Sequence, residues 1–400
     1  MTPVRSRPID GGMGAAEADE RSGDETGDAA EDAAAALGRP LRRGWTTGAC
    51  ATAAAKAAYT ALLAGEFPDP VTISLPGGGT PAFALATTRR DDTSATAGIV
   101  KDAGDDPDVT HGALVLATVR AGPPGSGVGF RAGPGVGTVT LPGLPLEPGE
   151  PAINPVPRRM IALAIAEAAA AHGGSGDVVV EVAVADGERL AERTWNPRLG
   201  ILGGLSILGT TGIVVPYSCS AWIHAIHRGI DVARAAGLGH VAGATGSTSE
   251  AAVRRLCGLP ELALIDMGDF VGGMLKYLRT HPVARVTVAG GVAKMSKLAQ
   301  GLLDLHSKRG SVDFDFLATT AEACGVRADR VAAIRTANTA LEAFALAGED
   351  RVALGDRVAR LARATAAEAV RGAGIDVEVA VFDRGGTLVG RAPFEGRHLG

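Results

Sequence analysis

The chain has 400 residues, 46% of them hydrophobic and 21% charged, which excludes a fully disordered or fibrous protein and allows two domains with buried cores. The net charge of −5 comes entirely from residues 1–40, where nine acidic side chains outnumber four arginines. The rest of the chain is neutral and has no basic stripe, so nucleic acid is excluded as a partner.

Residues 1–40 are rich in Ala, Gly, Glu and Asp. They are predicted to form a disordered acidic tail, because such a segment buries too little apolar surface to offset the entropy of ordering. The longest uncharged stretch, residues 200–222, contains Gly, Ser, Thr and Pro216, which favours a buried, turning core segment over a membrane span. With no recognisable secretory signal, the protein is predicted to be cytoplasmic, with no membrane partner.

The cysteines lie far apart in the sequence and form no CxxC pair. This spacing argues against disulfides and against a Cys-rich zinc site, so no metal site of the protein itself is predicted. The four cysteines are Cys50, Cys219, Cys257 and Cys324.

The first part of the chain after the tail combines two helices with short strands. Helices are predicted at 46–65, with a Thr cap and a Gly stop, and at 154–174, with Pro near its start and Gly at its stop. The predicted strands are 71–76, 81–87, 111–121 and 177–187. Short strands with two segregated helices predict an α+β domain over residues 41–215.

Helices and strands alternate from residue 216 onward, a pattern typical of a mostly parallel sheet. The predicted helices are 220–236, 247–256, 269–280, 292–305, 328–347 and 351–372. The predicted strands are 239–242, 261–265, 284–289 and 376–383. The sequence therefore predicts an α/β domain over residues 216–400.

Residues 101–112 read KDAGDDPDVTHG, with four aspartates between a lysine and a histidine. Hard metal ions prefer such clusters of carboxylate oxygens, but the spacing is not that of an EF-hand loop. The alternative is a solvated acidic turn whose Asp side chains bind the turn's own backbone. The residue pattern alone leaves both interpretations open.

The stretch AGATGSTSEAAVRRL, 242–256, follows a predicted strand and opens a helix. Free backbone N–H groups at such a junction favour an anion or the polar edge of a nucleotide-type ligand. The stretch lacks the Lys of a Walker loop and the third Gly of a full GxGxxG motif, so a plain turn capped by Ser247 or Thr248 is the alternative. Two other Gly-rich stretches, 133–144 and 200–214, are compatible with ligand loops or with tight packing.

Basic side chains form short clusters at 42–43, 131 and 158–159. Arg158 and Arg159 stand at the start of a predicted helix, where a positive charge opposes the helix dipole. They are therefore expected to pair with carboxylates, either of a ligand or of the chain's own acids at 102–108.

Six segments occur in a fixed order: RRGWTTGACATAAAKAA, VKDAGDDPDVTHGA, GPGVGTVTLPGL, GEPAINPVPRRMI, NPRLGILGGLSILGTTGIVVPYS and KLAQGLLDLHS. Together they resemble the cobalt-precorrin-5B C1-methyltransferase family (CbiD type) of anaerobic cobalamin biosynthesis. The resemblance runs from about residue 41 to about residue 310, and more weakly to the C-terminus. Three positions depart from the family's pattern: Asp269 replaces an Asn, and Gly291 and Ala293 replace a His and a Gly.

The resemblance implies a two-domain enzyme that moves a methyl group from S-adenosylmethionine to carbon 1 of cobalt-precorrin-5B. The products would be cobalt-precorrin-6A and S-adenosylhomocysteine, and cobalt would be present only as part of the substrate. The macrocycle would bind to the first domain, and the second would contribute to the donor site. Asp105, Asp106 and His111 are the candidate catalytic residues, which would orient arginines or transfer protons as the ring rearranges.

The macrocycle carries carboxylate side arms and so needs positive and polar anchors. The candidate macrocycle-binding residues are Arg42, Arg43, Thr46, Thr47, Lys101, Asn154, Arg158, Arg159, Ser206, Thr210 and Thr211. The candidate donor-binding residues are Gly243, Thr245, Gly246 and Ser247, by analogy with other strand–loop–helix sites.

Two other function classes are alternatives. A nucleotide-using small-molecule kinase would suit the Gly-rich loops, although the chain lacks a P-loop Lys and a clear Mg²⁺-binding pair. A non-catalytic tetrapyrrole carrier would bind the macrocycle without needing the methyl donor. The residues leave open whether the protein is a homo-oligomer, whether it hands its product directly to neighbouring pathway enzymes, and whether the macrocycle contains metal in the host.

Overall fold

The structure, a computed structural model, describes residues 34–35 and 37–395. Most of the predicted disordered tail, residues 1–40, therefore lies outside the described residues. The helices of the first part are α1 (Thr47–Ala64), α2 (Pro155–His172) and α3 (Gly187–Ala191). Its strands are β1 (Gly44–Trp45), β2 (Val71–Thr72), β3 (Ala82–Phe83), β4 (Thr87–Arg90), β5 (Ser94–Val100), β6 (Leu114–Ala121), β7 (Val128–Ala132), β8 (Gly135–Val136), β9 (Thr138–Val139), β10 (Val178–Val184), β11 (Ile201–Leu202), β12 (Gly204–Leu205) and β13 (Ile213–Val214).

A five-stranded sheet in the order β4-β5-β6-β10-β7 forms the centre of this part. Its neighbours run antiparallel, except that β7 is parallel to β10. Side chains of β10 alternate between buried and half-buried, as expected for a sheet with one covered face. Helix α1 packs on β5 and β6 and against α2. Fourteen of its eighteen residues are buried, most of them alanine, which allows the close approach of its neighbours.

The second part begins after β13. Its helices are α4 (Cys219–Ala235), α5 (Ser247–Cys257), α6 (Val271–Thr280), α7 (Val292–Ala299), α8 (Phe314–Glu322), α9 (Ala328–Arg335), α10 (Ala340–Leu346) and α11 (Arg351–Ala369). Its strands are β14 (His240–Ala244), β15 (Leu264–Asp266), β16 (Arg285–Gly291), β17 (Asp376–Phe382) and β18 (Leu388–Ala392).

These strands form one sheet in the order β15-β14-β16-β17-β18, in which all neighbours are parallel except the edge pair of β17 and β18. Helix α5 packs on one face, where Ala242, Ala289 and Ala380 are buried. The other helices contribute to a larger core on the opposite face, with Val241, Val288 and other strand residues. An α+β part followed by a mostly parallel α/β part confirms the predicted fold class.

Several predicted elements were wrong in extent. Strand β5 and helix α8 were not predicted. The single helix expected over 328–347 is two helices, α9 and α10. The chain starts α10 anew because the Thr339 side chain caps it by accepting a hydrogen bond from the amide of Glu342. The helix expected over 292–305 ends at Ala299, and a turn follows it. The uncharged stretch 200–222 forms short strands, loops and the first turn of α4, and none of the described helices is long and apolar enough to cross a membrane.

Candidate active site

Three of the quoted motifs meet at the beginning of α1. The amide of Thr46 donates to the carbonyl of Gly212 at 3.0 Å, and the amide of Gly48 donates to the carbonyl of Leu208 at 3.0 Å. The amide of Asn154, the N-cap residue of α2, donates to the carbonyl of Ile207 at 2.9 Å. The loop over 206–212 therefore joins the N-terminal ends of α1 and α2, which are both sites of positive backbone potential.

The acidic loop, residues 101–112, crosses the segment just before α1. The amide of Trp45 donates to the carbonyl of Asp102 at 2.7 Å. Gly44 lies so close to the backbone of Ala103 that a Cβ at this glycine would overlap it. The Arg42 guanidinium forms a two-point ion pair with the carboxylate of Asp102. The acidic loop and the RRGWTTGA motif are therefore one structural unit.

Lys101 and Asp108 hold this loop together from inside. The Lys101 side chain is only 1% exposed, and its ammonium pairs with Asp108 and donates to the Thr110 hydroxyl at 2.7 Å. Asp108 also accepts hydrogen bonds from the amide and hydroxyl of Thr110. The predicted macrocycle anchor Lys101 is thus committed to the fold of the loop.

Asp105 is held by two arginines on the N-terminal side of the site. Its oxygens accept from the Arg39 guanidinium at 2.8 and 3.1 Å and from the amide of Arg42 at 2.6 Å. The Arg39 hydrogen bonds lower the pKa of Asp105 to about 2, so this carboxylate is ionised at neutral pH and accepts a proton poorly. His111 is exposed, and its Nδ1 accepts from the amide of Ala103 at 3.2 Å.

Asp106 has a different environment from Asp105. Its Oδ1 accepts a hydrogen bond from the amide of Tyr217 at 2.9 Å. Burial raises the pKa of this half-buried carboxyl, as expected when the charged form is desolvated. Tyr217 has a φ of 57°, a left-handed conformation that is uncommon for a residue with a side chain. Of the three predicted catalytic residues, Asp106 is the one whose pKa is raised by burial.

Most of the predicted macrocycle-binding side chains support the backbone of this region. Arg158 donates to the carbonyls of Ile153 at 2.7 Å and Pro151 at 3.1 Å and pairs with Glu150 at 3.1 Å, so it clamps the turn before α2. The side chains of four further residues hydrogen-bond within the chain; they are Thr46, Thr47, Ser206 and Thr211.

Three arginines have exposed side chains near the starts of α1 and α2: Arg42, Arg43 and Arg159. Arg42 is paired with Asp102. The Arg159 side chain is exposed and has no ion-pair partner within the described part of the chain. Thr210 is also exposed, in the loop that joins the two helix starts. Of the predicted anchors, Arg159 and Thr210 therefore have exposed side chains near the two helix starts, and Asn154 caps α2 without a side-chain cap hydrogen bond.

The predicted donor loop follows β14 at the carboxyl edge of the parallel sheet. Strand β15 lies on one side of β14 and β16 on the other, so the chain reverses its winding direction here. Open α/β sheets bind ligands in the crevice at such a switch point. The first turn of α5, which begins at Ser247, presents backbone N–H groups there.

The two glycines predicted for this loop have different surroundings. Gly243 lies within β14, where a Cβ would overlap the Met274 sulfur, so this residue serves core packing. At Gly246 a Cβ would meet no atom within 4 Å, which leaves open space directly above the start of α5. Gly246 therefore borders open space, with Thr245 half-buried and Ser247 exposed beside it, whereas Gly243 is enclosed by core side chains.

Asp266 and Trp222 lie beside this crevice and were not among the predicted site residues. Asp266 ends β15, is half-buried and has a pKa raised by that burial. The Trp222 indole donates to the carbonyl of Asp266 at 3.1 Å and lies against Gly268. An acid that directly follows a buried strand in a parallel sheet is a recognisable ribose-binding signal, and LIDMGD at 264–269 has that pattern.

Two contacts connect this crevice with the first part of the chain. Arg198, in the NPRLG motif, makes a two-point ion pair with Glu250 at 2.7 and 2.8 Å. Glu250 is in the first turn of α5, three residues after Ser247. The second contact is the hydrogen bond from the amide of Tyr217 to Asp106, which attaches the acidic loop to the segment that leads into α4. Arg198 belongs to one of the six family-like segments but was not among the predicted site residues.

The departures from the family pattern lie near the end of β16. Asp269 pairs with the ammonium of Lys294. Lys294 and Lys297 both donate to the carbonyl of Leu305, at 3.1 and 3.0 Å. Asp269 therefore has a charged partner in this chain, and the two lysines fix the turn that follows α7.

Family profiles and curated relatives match most of this chain. A family profile described as CbiD matches residues 20–216, and one for the CbiD C-terminal domain matches residues 304–393. A "Cobalt-precorrin-5B C(1)-methyltransferase" from Bradyrhizobium sp. is 65% identical over 89% of this chain and 94% of that protein. A protein of the same name from Methylorubrum extorquens is 65% identical over 87% of this chain and 97% of its own length.

A crystal structure of a cobalamin biosynthesis protein (cbiD) from Archaeoglobus fulgidus is 28% identical and covers 67% of this chain and 83% of that one, with a TM-score of 0.37. The two curated relatives are far more similar in sequence and are matched along nearly their whole length. On these relatives and the two family profiles, the chain belongs to the CbiD family.

Proposed function

We propose that this protein methylates carbon 1 of cobalt-precorrin-5B to give cobalt-precorrin-6A, with S-adenosylmethionine as the donor. The observation that carries the proposal is the 65% identity to relatives bearing this enzyme name over nearly nine tenths of the chain. Neither the small-molecule kinase nor the tetrapyrrole carrier is supported by these relatives. A cytoplasmic location is part of the proposal, because the donor is a soluble metabolite.

The donor site is proposed at the carboxyl edge of the parallel sheet. S-adenosylmethionine, when bound, supplies an electrophilic methyl group on a sulfonium. The amides of Gly246 and Ser247 would bind its polar edge, and Asp266 is positioned to accept hydrogen bonds from a ribose. The open space at Gly246 allows a ligand to approach the backbone closely.

The macrocycle is proposed to bind at the N-terminal ends of α1 and α2. Its carboxylate side arms would be attracted by both helix dipoles and by the guanidinium groups of Arg42, Arg43 and Arg159. The exposed Leu208, half of whose surface is accessible, offers an apolar contact for the ring. Cobalt would enter the site only as part of this substrate.

Asp106 is proposed to manage the proton released in the reaction. When a C–C bond forms at the ring, the C–S bond breaks, sulfur keeps the electron pair, and the ring takes up the positive charge. Loss of a ring proton restores its neutrality. A carboxylate with a raised pKa accepts that proton more readily than an ordinary aspartate. Most of the rate is expected from positioning the two reactants in line.

The test of the function uses cobalt-precorrin-5B, generated enzymatically, and S-adenosylmethionine with a labelled methyl group. We expect one labelled methyl group on the macrocycle and an equal amount of S-adenosylhomocysteine, measured by product mass. Binding of both molecules without transfer would contradict the enzyme assignment and support a carrier. Turnover of ATP in place of the methyl donor would support the kinase.

The donor site has its own test in a pair of glycine variants. Gly246→Ala adds a methyl group where the fold has room, so we expect an unchanged melting temperature and a donor KM raised about tenfold by steric exclusion of the ligand. Gly239→Ala is the control, because it makes the same change just before β14, where the nearest atom is 3.9 Å away. Equal donor KM values in the two variants would place the donor elsewhere.

A further inference from the structure

A second group of reactive side chains lies at the opposite end of β14 from the proposed donor loop. His240 starts β14, Cys257 ends α5, and Glu378 is the third residue of β17. One ligand atom of each lies within 4.8 Å of the others. Glu378 is completely buried, and the other two side chains are partly buried. These residues are widely separated in the sequence, which is why the isolated cysteines predicted no metal site.

The orientation of the carboxylate is fixed by a charged neighbour. The Arg391 guanidinium donates to Glu378 Oε1 at 2.7 Å, and the Thr287 hydroxyl donates to Oε2 at 2.8 Å. Oε2 therefore faces the cluster, 3.7 Å from the Cys257 sulfur. Outer partners of this kind orient metal-binding carboxylates in known sites.

The histidine is oriented in a similar way. His240 Nε2 lies 2.8 Å from the Thr287 hydroxyl, and the Phe394 ring packs edge-on against the imidazole. The Thr287 oxygen is thus adjacent to both the imidazole and the carboxylate and lies 4.0 Å from the thiol. It occupies the fourth corner of a group that also contains one nitrogen, one sulfur and one carboxylate oxygen.

We propose that His240, Cys257 and Glu378 form a binding site for a zinc-type divalent transition-metal ion. Zinc binds imidazole nitrogen, thiolate and carboxylate tetrahedrally at about 2.0–2.3 Å, which places neighbouring ligand atoms about 3.5 Å apart. The ligand atoms lie within 4.8 Å of one another, so side-chain shifts of up to about 1.3 Å bring them to that geometry. Thr287 or a water molecule completes the fourth position.

The charges at this site are compatible with a dication. Binding releases the thiol proton of Cys257 to solvent, and the resulting thiolate and the Glu378 carboxylate neutralise the two positive charges. The additional charge of Arg391 is screened because its side chain is 40% exposed. Without an ion, the thiol faces a carboxylate, and burial followed by the Glu378 charge raises the pKa of Cys257.

The role of the ion would be structural. The site joins the C-terminal end of α5 to β14 and β17. It lies on the face of the sheet against which α5 packs. The helix whose other end forms the donor loop would thereby be fixed to the sheet. Metal binding at this position is independent of methyl transfer, so failure of either proposal leaves the other intact.

The experiment titrates metal-depleted full-length protein with Co²⁺ and records its absorption spectrum. We expect one ion per chain, with a thiolate-to-Co²⁺ charge-transfer band and the intense visible bands of a tetrahedral site. Zn²⁺ should abolish these bands by competition and raise the melting temperature. A wild-type protein without the charge-transfer band overturns the proposal and leaves the cluster as a hydrogen-bonded network.

Matched cysteine variants show whether the signal comes from this cluster. Cys257→Ala should lose the charge-transfer band, and Cys324→Ala, which changes another partly buried cysteine, should keep it. Glu378→Gln tests the same site without altering the thiol and should weaken Co²⁺ binding at least tenfold. Circular dichroism verifies that each variant is folded. A band that persists in Cys257→Ala, or is lost in Cys324→Ala, overturns the assignment.

Discussion

Asp105 and Asp106 are adjacent in the chain, but their carboxylates bind partners in different segments, Arg39 for the first and Tyr217 for the second. Asp105 pairs with the Arg39 guanidinium at 2.8 Å, and Asp106 accepts from the amide of Tyr217 at 2.9 Å. The arginine lowers the pKa of Asp105 to about 2, while burial raises the pKa of Asp106. One peptide bond therefore separates a carboxylate that is ionised at neutral pH from a half-buried carboxyl group whose pKa is raised.

The Asp106→Asn variant tests the proposed proton transfer. The amide retains an acceptor oxygen for Tyr217 but cannot take a proton, so we expect kcat to fall about 100-fold with little change in the donor KM. The measurement is steady-state transfer of a labelled methyl group. Asp92→Asn, at an exposed turn position, is the control and should retain full activity. A wild-type rate in Asp106→Asn would exclude this residue as the base.

The same variant should be at least as stable as the wild type at neutral pH. A raised pKa means that folding disfavours the ionised carboxyl, so removing the charge is favourable above the pKa of Asp106 in the folded protein. Below the ordinary value of 3.8 the group is protonated in both states, and the advantage disappears. Melting temperatures measured across this pH range should converge toward low pH; a gap that widens there would contradict the raised pKa.

Asp105→Asn should have the opposite pH dependence. The lowered pKa of Asp105 stabilises the folded protein above 3.8, and this contribution is lost as the pH falls toward the folded value of about 2. We therefore expect the wild type to be more stable than Asp105→Asn at pH 7 and the difference to vanish on acidification. Thermal unfolding of both proteins, at matched ionic strength, measures it. A constant difference would show that ionisation of Asp105 is not responsible.

The Arg198–Glu250 pair is expected to control donor affinity from outside the donor pocket. Lysine cannot reproduce a two-point contact, so Arg198→Lys should loosen the first turn of α5 and raise the donor KM about fivefold, with a smaller effect on kcat. Arg189→Lys changes an exposed arginine paired with Asp186 and should leave both constants unaltered. If the two variants behave alike, the contact does not position the donor loop.

Lys101 and Asp108 form a buried pair whose loss should be costly. Lys101→Met leaves Asp108 without its cation, and we expect the free energy of unfolding to fall by about 3–5 kcal/mol. The double variant with Asp108→Asn should lose less than the sum of the single variants. Urea unfolding provides these values. Lys56→Met, which breaks a more exposed pair with Glu167, should cost only about 1 kcal/mol, and equal losses would contradict the role of burial.

Local signals explain which elements could be predicted from the sequence. Helix α1 was predicted almost to the residue because Thr46 caps its start and Gly65, with a φ of 89°, ends it. Strand β5 was missed because its sequence, SATAGIV, has little of the bulk typical of strands. It is a strand because it pairs with β4 and β6, and α1 covers it; its own residues do not encode these contacts.

The candidate site shows the same limit. The sequence motifs identified the acidic loop as a candidate site, but they could not distinguish Asp105 from Asp106. The difference arises from Arg39, which is 66 residues away from Asp105, and from Tyr217, which is 111 residues away from Asp106. Likewise, Arg158 pairs with a carboxylate, as expected. The carboxylate belongs to the nearby Glu150 rather than to an acid of the acidic loop.

The alanine-rich surface of α1 has a consequence for how this protein tolerates mutation over evolutionary time. Fourteen of the eighteen residues of α1 are buried, and neighbouring elements pack on several of its sides. A larger side chain at these positions would therefore overlap its neighbours. Neutral drift should therefore be slow along α1 and faster on the outer surface of α11, where many side chains are exposed. A helix in which half of the residues are alanine would then be among the least replaceable segments of the chain.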